Sequence, residues 1–210
     1  NVKLYRRRIT LIDISADESY IIDNFWARGG REYDYSLHGI TGGRLIVNTG
    51  KNVTFRSEAR GSVLSDTVDY SAELDPNGRV KSFEGEPFYF APPGNGYGFL
   101  SKPAFYALNG PAFLQWSATD RSNHQMYVWH FAPRNSELIT ASSPKPPVPM
   151  HLTYALSHVT AREPDKVRFA SVIHATEGEN KIRDVRQLLP AEGAGDMFAG
   201  ACLFGLSRGW

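Results

Sequence analysis

Hydrophobic and polar residues alternate with a period of two along most of this chain. Apolar residues at every second position, many of them β-branched or aromatic, are typical of strands with one buried face. A convincing amphipathic helix with a 3.6-residue repeat is found nowhere. The pattern predicts strands over residues 2–13, 19–28, 31–39, 44–48, 79–84, 87–90, 104–109, 112–119, 126–132, 136–141, 151–162, 166–176 and 181–189.

Turn-forming residues stand between these segments. The clearest groups are Gly29-Gly30, Gly42-Gly43, Pro76-Asn77-Gly78, the stretch 92–96 and Gly178-Glu179-Asn180. Each supplies residues that tight turns need, and Asn-Gly is the strongest two-residue hairpin signal. Many long strands joined by short turns indicate stacked antiparallel sheets. The sequence therefore predicts an all-β protein, a large antiparallel β-sandwich with little or no helix, with a partly closed barrel as the alternative.

A proline-rich segment at 142–149 raises the question of a domain boundary. Prolines of this density also occur in stiff linkers. The strands after it have the same length and composition as those before it, and the roughly 60 residues beyond it would make a marginal domain. We therefore predict one domain over 1–210, with this segment as an internal loop.

The strand at 166–176 shows how faces are assigned. Val167, Phe169, Ser171 and Ile173 share one face, because side chains alternate along a strand. The other face carries Arg168, Ala170, Val172 and His174. The first face is the better candidate for the core.

Composition excludes several classes of function. The 23 Lys and Arg residues balance 22 Asp and Glu, so no global field attracts nucleic acid or anionic lipid. The run Arg6-Arg7-Arg8 is an exception, but in a strand its side chains alternate between faces. No apolar run reaches the roughly 18–20 residues of a membrane span. Cys202 is the sole cysteine, so the chain cannot form an intrachain disulfide.

The histidines do not follow the spacing of a metal site. All six lie far apart, without a nearby histidine or cysteine at ligand spacing: His38, His124, His130, His151, His158 and His174. Local pairs such as H-x-H or H-x-x-x-H usually supply part of a first coordination shell. We predict no metal site built from this chain alone.

Residues 20–39 hold the densest group of candidate functional side chains. Tyr20 to Trp26 predicts one strand, and Arg31 to His38 predicts its antiparallel partner after a turn at Gly29-Gly30. On the second strand Tyr33, Tyr35 and Leu37 share one face, and Glu32, Asp34, Ser36 and His38 share the other. The polar face is either an acid-base set or an ordinary solvated face.

Three aromatic residues beside charged neighbours are candidates for stacking on sugar rings: Trp26, Tyr33 and Tyr35. An aromatic ring packs against the C–H face of a sugar, while polar neighbours bind its hydroxyls. Core packing is the alternative for each of them. Together with His38 and Asp34 they form the predicted substrate-binding set, and no catalytic residue is assigned.

Two segments in this order carry a recognisable pattern. The first is R-R-R-I-T-L-I-D at 6–13 followed by Y-I-I-D-N-F-W-A-R-G-G-R-E-Y-D-Y-S-L-H-G at 20–39. The second is V-R-F-A-S-V-I-H-A-T-E-G at 167–178 followed by I-R-D-V-R-Q-L at 182–188. The ordered pair resembles the C-terminal β-domain of the heparinase II/III-like polysaccharide lyases.

The resemblance implies a β-sandwich that packs, in full-length members, against an upstream α/α-toroid. Such enzymes cleave uronic-acid polysaccharides, such as glycosaminoglycans or alginate, by β-elimination, with a Tyr and a His sharing the proton transfers. It also implies a periplasmic or secreted protein, and some members hold a structural zinc, although no cofactor is expected in this chain. The family's H-x-H-x-D-x-G-type motif and later His-Asn-Thr segment are absent, so His38 matches a cleft-lining or structural histidine.

Three hypotheses follow. The leading one is the β-domain of such a lyase, a fragment of a longer protein without the full catalytic set, whose partners are an acidic polysaccharide and its own toroid. The second is a noncatalytic carbohydrate-binding sandwich that uses Trp26, Tyr33 and Tyr35. The third is a structural domain that covers an enzyme's helical domain, which a large exposed apolar area on one sheet would favour.

Overall fold

The computed structural model describes residues 3–56, Val63, Tyr97 and the ranges 100–120, 123–143, 152–161, 166–187 and 201–203. Its elements are the strands β1 (Leu4–Ser15), β2 (Glu18–Arg28), β3 (Glu32–His38), β4 (Arg44–Val47), β5 (Val53–Arg56), β6 (Ser101–Leu108), β7 (Ala112–Ser117), β8 (His124–Phe131), β9 (Ser136–Ser142), β10 (Thr153–Thr160), β11 (Lys166–Glu177), β12 (Val185–Gln187) and β13 (Ala201–Leu203). The predicted all-β class is confirmed.

The strands form two main antiparallel sheets. Sheet A has the order β1-β2-β11-β8-β7-β4, and sheet B has the order β3-β10-β9-β6-β5. Strands β12 and β13 make a separate two-stranded ribbon. The two large sheets stack face to face, so the predicted antiparallel β-sandwich is confirmed.

The main core lies between the inner faces of the two sheets. Phe25 and Phe169 from sheet A pack against Tyr35 from sheet B, with ring centroids 5.5–6.3 Å apart. Trp116 of β7 is fully buried in the same cluster, and its Nε1 donates to the carbonyl of Thr153 at 3.0 Å. Aromatic rings supply large buried apolar area, which is the main favourable contribution to folding.

The predicted hairpin at residues 20–39 is wrong. β2 pairs with β1 and β11 in sheet A, whereas β3 pairs with β10 in sheet B. The turn at Gly29, whose φ is +98°, therefore carries the chain from one sheet to the other. Alternation predicts which residues of a strand are buried, but a hairpin and a corner between sheets show the same alternation.

Strand β11 is buried on both faces. Val167 and Phe169 face sheet B as predicted, but Ala170 and Val172 on the opposite face are also fully buried. They pack in a second cluster with Ile182 and Val185, and the latter begins the short strand β12. Of the predicted strand at 181–189, residues 181–184 are irregular and 185–187 form β12, and the last two positions lie outside the described residues. This segment packs on the outer face of sheet A.

Two strands of the structure were not predicted, and two predicted strands lie outside the described residues. β5 was not predicted, because its four residues Val53–Arg56 are too few to show a pattern, and β13 was also missed. The predicted strands at 79–84 and 87–90, the Asn77-Gly78 turn and most of the proline-rich segment lie outside the described residues. In the part of the chain that the structure describes, no helix has the length and hydropathy of a membrane span.

Candidate functional site

The outer face of sheet B carries the predicted polar set. Exposed and buried positions alternate along β3, so Glu32, Asp34, Ser36 and His38 point away from the core as predicted. The register between β3 and β10 then decides their partners. Asp34 lies opposite His158, which sequence spacing did not indicate as its partner.

Asp34 and His158 form a carboxylate–imidazole pair. The Nδ1 atom of His158 lies 2.8 Å from Oδ1 of Asp34, and both side chains are about one-third exposed, at 31% and 29%. The hydrogen bond to Asp34 raises the pKa of His158 above its usual value, against the opposing effect of partial burial. Glu32 and Glu137 add to this rise, so the histidine stands in an acidic environment.

His38 does not join this pair. It lies four residues along β3 from Asp34, roughly 13 Å at the rise of a strand. Its ring instead tilts against that of Tyr154 at a centroid distance of 5.5 Å, and its Nδ1 lies 3.2 Å from the carbonyl oxygen of Gly39. The polar face of β3 therefore exists as predicted, but Asp34 and His38 are not in contact with each other.

Tyr33 and Tyr35 lie inside the protein. They are 9% and 4% exposed and belong to the inter-sheet core. The Tyr33 hydroxyl accepts from the amide of Gly30 at 2.7 Å and donates to its carbonyl at 3.0 Å, which fixes the corner between the sheets. Because neither ring is open to a ligand, the structure does not support their assignment as sugar contacts; core packing, the alternative, is what is observed.

A polar network crosses the core beside Tyr35. The Tyr35 hydroxyl donates to Asp23 at 2.7 Å, and Nε of Arg7 donates to the same carboxylate at 3.0 Å. Asp23 is 1% exposed, whereas the Arg7 side chain is 48% exposed and its guanidinium also lies over the Tyr35 ring. The bond to Asp23 raises the pKa of Arg7, and burial raises that of Tyr35.

His130 of β8 makes a second polar contact between the two sheets beside Tyr35. Its Nδ1 lies 2.9 Å from Oγ of Ser171, and its Nε2 lies 2.6 Å from Oγ of Ser157 on β10. The ring also stacks on Tyr35 at 5.2 Å. Burial lowers the pKa of His130 to about 4, so the imidazole is neutral at pH 7 and donates to one serine while accepting from the other.

The serine–histidine contact resembles a nucleophile and its base, but its position excludes that role here. His130, Ser157 and Ser171 are at most 2% exposed. A substrate carbonyl must reach the hydroxyl for nucleophilic attack, which such burial prevents. The network therefore joins the two sheets by satisfied hydrogen bonds.

Trp26 lies on the outer face of sheet A between two arginines. The register places Arg6 of β1 and Arg168 of β11 directly opposite it on either side. We call Arg6, Trp26 and Arg168 the cationic row. The indole is half-buried, and its Nε1 is buried without a hydrogen-bond partner among the described residues. Its accessible part is therefore apolar.

The rows beside the cationic row are also free of carboxylates at their paired positions. Arg28 lies opposite Lys166, and Arg8 lies opposite Asn24. Arg7 turns to the inner face, so the arginine run divides between a buried network and this surface, as alternation predicts. Opposite neighbours in a sheet stand about 5 Å apart, so the positive charges are concentrated.

A cavity of about 570 Å³ adjoins this surface at the end of the sandwich. We call it the basic cavity. Arg168 belongs to it as well as to the cationic row, and the remaining polar side chains on its wall are Arg134, Lys166, Asn52 and Asn109. It thus combines three cations with two amide side chains.

Local backbone geometry shapes the basic cavity. Arg134 stands in the β8–β9 turn, where Asn135 has a φ of +63°, a conformation that asparagine tolerates better than most residues. The Ser136 hydroxyl closes this turn by donating to the Pro133 carbonyl at 2.7 Å. On the opposite wall a side chain at Gly110 would collide with the amide of Asn52, so glycine permits the close approach of these loops.

A second cavity of about 710 Å³ has mixed charge. Its wall includes the hydrogen-bonded pair His124–Glu177 and the ion pair Glu18–Lys181, together with Asp17. Groups of both signs therefore line the second cavity. Its carboxylates would repel an anion, and the residues that line the basic cavity include no carboxylate.

No group of three or more potential metal ligands converges among the described residues. His38, His124, His130, His158 and His174 each contact different partners, and His151 lies outside the described residues.

Comparison with known proteins finds no matching family model, no matching curated protein and no matching solved structure. The resemblance to heparinase II/III-like lyases therefore stays a prediction.

The sequence indicated Trp26 as a candidate but not the residues that lie beside it in the sheet. Arg168 is 142 positions away along the chain and becomes its neighbour only through the pairing of β2 with β11. His158 meets Asp34 in the same way through β10. No local spacing carries this information, since it depends on which strands pair and in which register.

Proposed function

We propose that this chain binds an acidic, uronate-containing polysaccharide at the cationic row and the basic cavity. The observation that carries the proposal is the position of Trp26 between Arg6 and Arg168, with Arg168 also lining a cavity that holds Arg134 and Lys166. An aromatic surface flanked by cations, next to a concave site with amides, matches the chemistry of a charged sugar.

Each part of this surface suits one feature of a uronate residue. The half-buried face of Trp26 offers apolar contact to the C–H face of a pyranose ring. Arginine binds carboxylates with two parallel hydrogen bonds, a geometry that lysine does not provide. Amide side chains such as Asn52 and Asn109 both donate to and accept from sugar hydroxyls.

The size of the basic cavity favours a short segment of the polymer. Its volume of about 570 Å³ lies within the roughly 300–1,000 Å³ typical of small-molecule pockets. A polysaccharide would place a short segment in the cavity and continue along the cationic row. Sulfate groups, where present, meet the same arginines, so the proposal covers sulfated and unsulfated uronates.

We infer that in its full protein the chain serves as the β-sandwich domain of a heparinase II/III-like lyase, as the sequence resemblance implies. β-Elimination needs neutralisation of the uronate carboxylate, a base for the C5 proton and an acid for the leaving oxygen. The exposed Asp34–His158 pair could move a proton, but Glu32 and Glu137 beside it repel a uronate. In this proposal the chain alone binds polysaccharide without cleaving it.

The alternative is a noncatalytic carbohydrate-binding module, and the same surface favours it equally. The two differ in what the chain is joined to. Expression with the natural upstream region, followed by ultraviolet absorbance of unsaturated product, distinguishes them. In both cases an extracellular polymer as ligand implies a secreted or periplasmic protein.

The test of binding is affinity electrophoresis in gels that contain alginate, heparin, hyaluronan or a neutral glucan. We expect retardation by the uronate polymers, weakening with added salt, and none by the neutral polymer, because exposed charge interactions are screened. We also expect no unsaturated product from this chain alone. Equal retardation by the neutral glucan, or none by any uronate polymer, would contradict the proposed ligand class.

A further inference from the structure

Strand β1 is an edge of sheet A with an apolar face that stays exposed. Among the described residues it pairs only with β2, on one side. On its inner face Tyr5, Ile9 and Leu11 are 75%, 61% and 61% exposed. At 12 residues, β1 is about twice the common strand length, and long exposed edges are templates for pairing with another chain.

We propose that β1 pairs with β1 of a second copy of this chain, antiparallel, in a register centred on Thr10. A symmetric pair with a twofold axis through the sheet joins the two copies of sheet A into one continuous sheet. This inference concerns the inner face and free edge of β1. It does not depend on what binds at the cationic row.

Symmetry limits the allowed registers. The axis is perpendicular to the sheet, so inner-face residues meet inner-face residues and outer-face residues meet outer-face residues. In the register centred on Thr10, Ile9 lies opposite Leu11 of the other copy, and Arg7 lies opposite Asp13. Each of these two inner-face pairs occurs twice, the first an apolar pair and the second a pair of opposite charges, whereas on the outer face Arg8 lies opposite Ile12.

Neighbouring registers lose this complementarity. A register centred on Ile9 places Arg7 opposite Leu11, and one centred on Leu11 places Ile9 opposite Asp13. A register centred on Arg7 places the arginine run against itself. Like charges directly opposite are destabilising, so the charge pattern favours the register centred on Thr10.

Arg7 can take part without leaving the core network. Its Nε and one terminal nitrogen bind Asp23, and its side chain remains 48% exposed. A guanidinium has five N–H donors, so donors remain for the carboxylate of Asp13 in the other copy. Asp13 is itself exposed, and the ladder from Leu4 to Asp13 is regular before a register shift ahead of Ser15.

Cysteine cross-linking tests the register directly. In a Cys202→Ser background, Thr10→Cys places two thiols on directly opposite positions, about 5 Å apart and within the range of a disulfide. Arg8→Cys lies on the same face, but its two copies would stand roughly 13 Å apart along the strands. Under mild oxidation we expect Thr10→Cys to shift to a covalent dimer and Arg8→Cys to stay monomeric.

Sedimentation velocity of the unmodified chain gives an independent test. We expect a dimer that dissociates on dilution, and Asp13→Lys should abolish it by setting a lysine against Arg7. Glu179→Lys, an exposed position away from β1 with the same charge change, should leave it intact. A monomer at every concentration, a dimer unaffected by Asp13→Lys, or equal cross-linking of the two cysteine variants would overturn the proposal.

Discussion

The hydroxyl of Tyr35 on β3 donates a 2.7 Å hydrogen bond to the carboxylate of Asp23 on β2. The two residues belong to different sheets, and 12 positions separate them along the chain. Their contact closes the corner that the turn at Gly29 begins. A buried polar contact of this kind fixes how one sheet is placed on the other.

Removing the carboxylate should destabilise the fold. In Asp23→Ala the Tyr35 hydroxyl loses its acceptor inside the core, while Arg7 can turn toward solvent. We expect a loss of about 2 kcal/mol in the free energy of unfolding, measured by urea denaturation. Tyr35→Phe should cost about 1 kcal/mol, because Asp23 keeps its bonds to Arg7. Equal stability of Asp23→Ala and the unmodified protein would contradict the importance of this contact.

Buried His130 predicts a loss of stability in acid. Its pKa is about 4 in the folded protein and 6.5 for an unperturbed histidine, so between these values only the unfolded chain binds the proton. The contribution is fully present above pH 6.5 and is lost as the pH falls toward 4. The loss amounts to about 3 kcal/mol at most. Urea denaturation from pH 4 to pH 7.5 measures this loss as a fall in the urea midpoint at low pH.

The matched variants for this prediction are His130→Gln and His124→Gln. His130→Gln should be less stable at pH 7 but should show a shallower dependence on pH between 4 and 6.5. His124 is exposed, so its replacement should change the stability at pH 7 little and serves as the control for the loss of a histidine. The prediction fails if His130→Gln keeps the pH dependence of the unmodified protein.

The Asp34–His158 pair predicts that the pKa of His158 is raised in solution. Its hydrogen bond holds the pKa of His158 above the usual value, so Asp34→Asn should lower that pKa. Proton NMR of the Cε1–H signal of His158 measures this shift, by comparison of Asp34→Asn with the unmodified protein. An unchanged His158 titration in Asp34→Asn would show that the pair does not form in solution.

The close packing of Gly39 against Trp116 predicts that a larger residue at position 39 destabilises the protein. Gly50 provides the control. A methyl group at Gly39 would overlap the indole ring of Trp116, which is fully buried. We therefore expect Gly39→Ala to cost about 1–3 kcal/mol, by overpacking. Gly50→Ala places its methyl group in open space and should be nearly neutral. Thermal melting compares the two, and similar melting temperatures would contradict the packing at Gly39.

Alternation along the sequence was enough to predict the class of fold and the faces of most strands. It correctly separated Tyr33 and Tyr35 from Asp34 and His38 on β3. Alternation does not say which strand lies next to which, so the corner at Gly29 was interpreted as a hairpin. Distinguishing the two requires the pairing of β2 with β11, which is non-local.

The same limit explains the outcome for the candidate site. Charged residues beside it in the sequence make Trp26 a candidate, yet its paired neighbours are Arg6 and Arg168 from other strands. The same pattern makes Tyr33 and Tyr35 candidates, and these two lie in the core. A single strand does not reveal whether an aromatic face meets the opposite sheet or solvent, since this depends on the stacking of sheets.

The central claim is that the basic cavity holds a uronate, and isothermal titration with a short oligouronate tests it most directly. The paired variants are Arg134→Gln/Lys166→Gln in the cavity and Arg44→Gln/Arg186→Gln at exposed positions elsewhere, with the same change in net charge. Because hydrogen bonds to charged groups contribute about 1.5–3 kcal/mol each, the cavity variant should bind at least about tenfold more weakly. The control should bind like the unmodified chain. Equal affinity of the two variants, with melting temperatures unchanged, would contradict the claim.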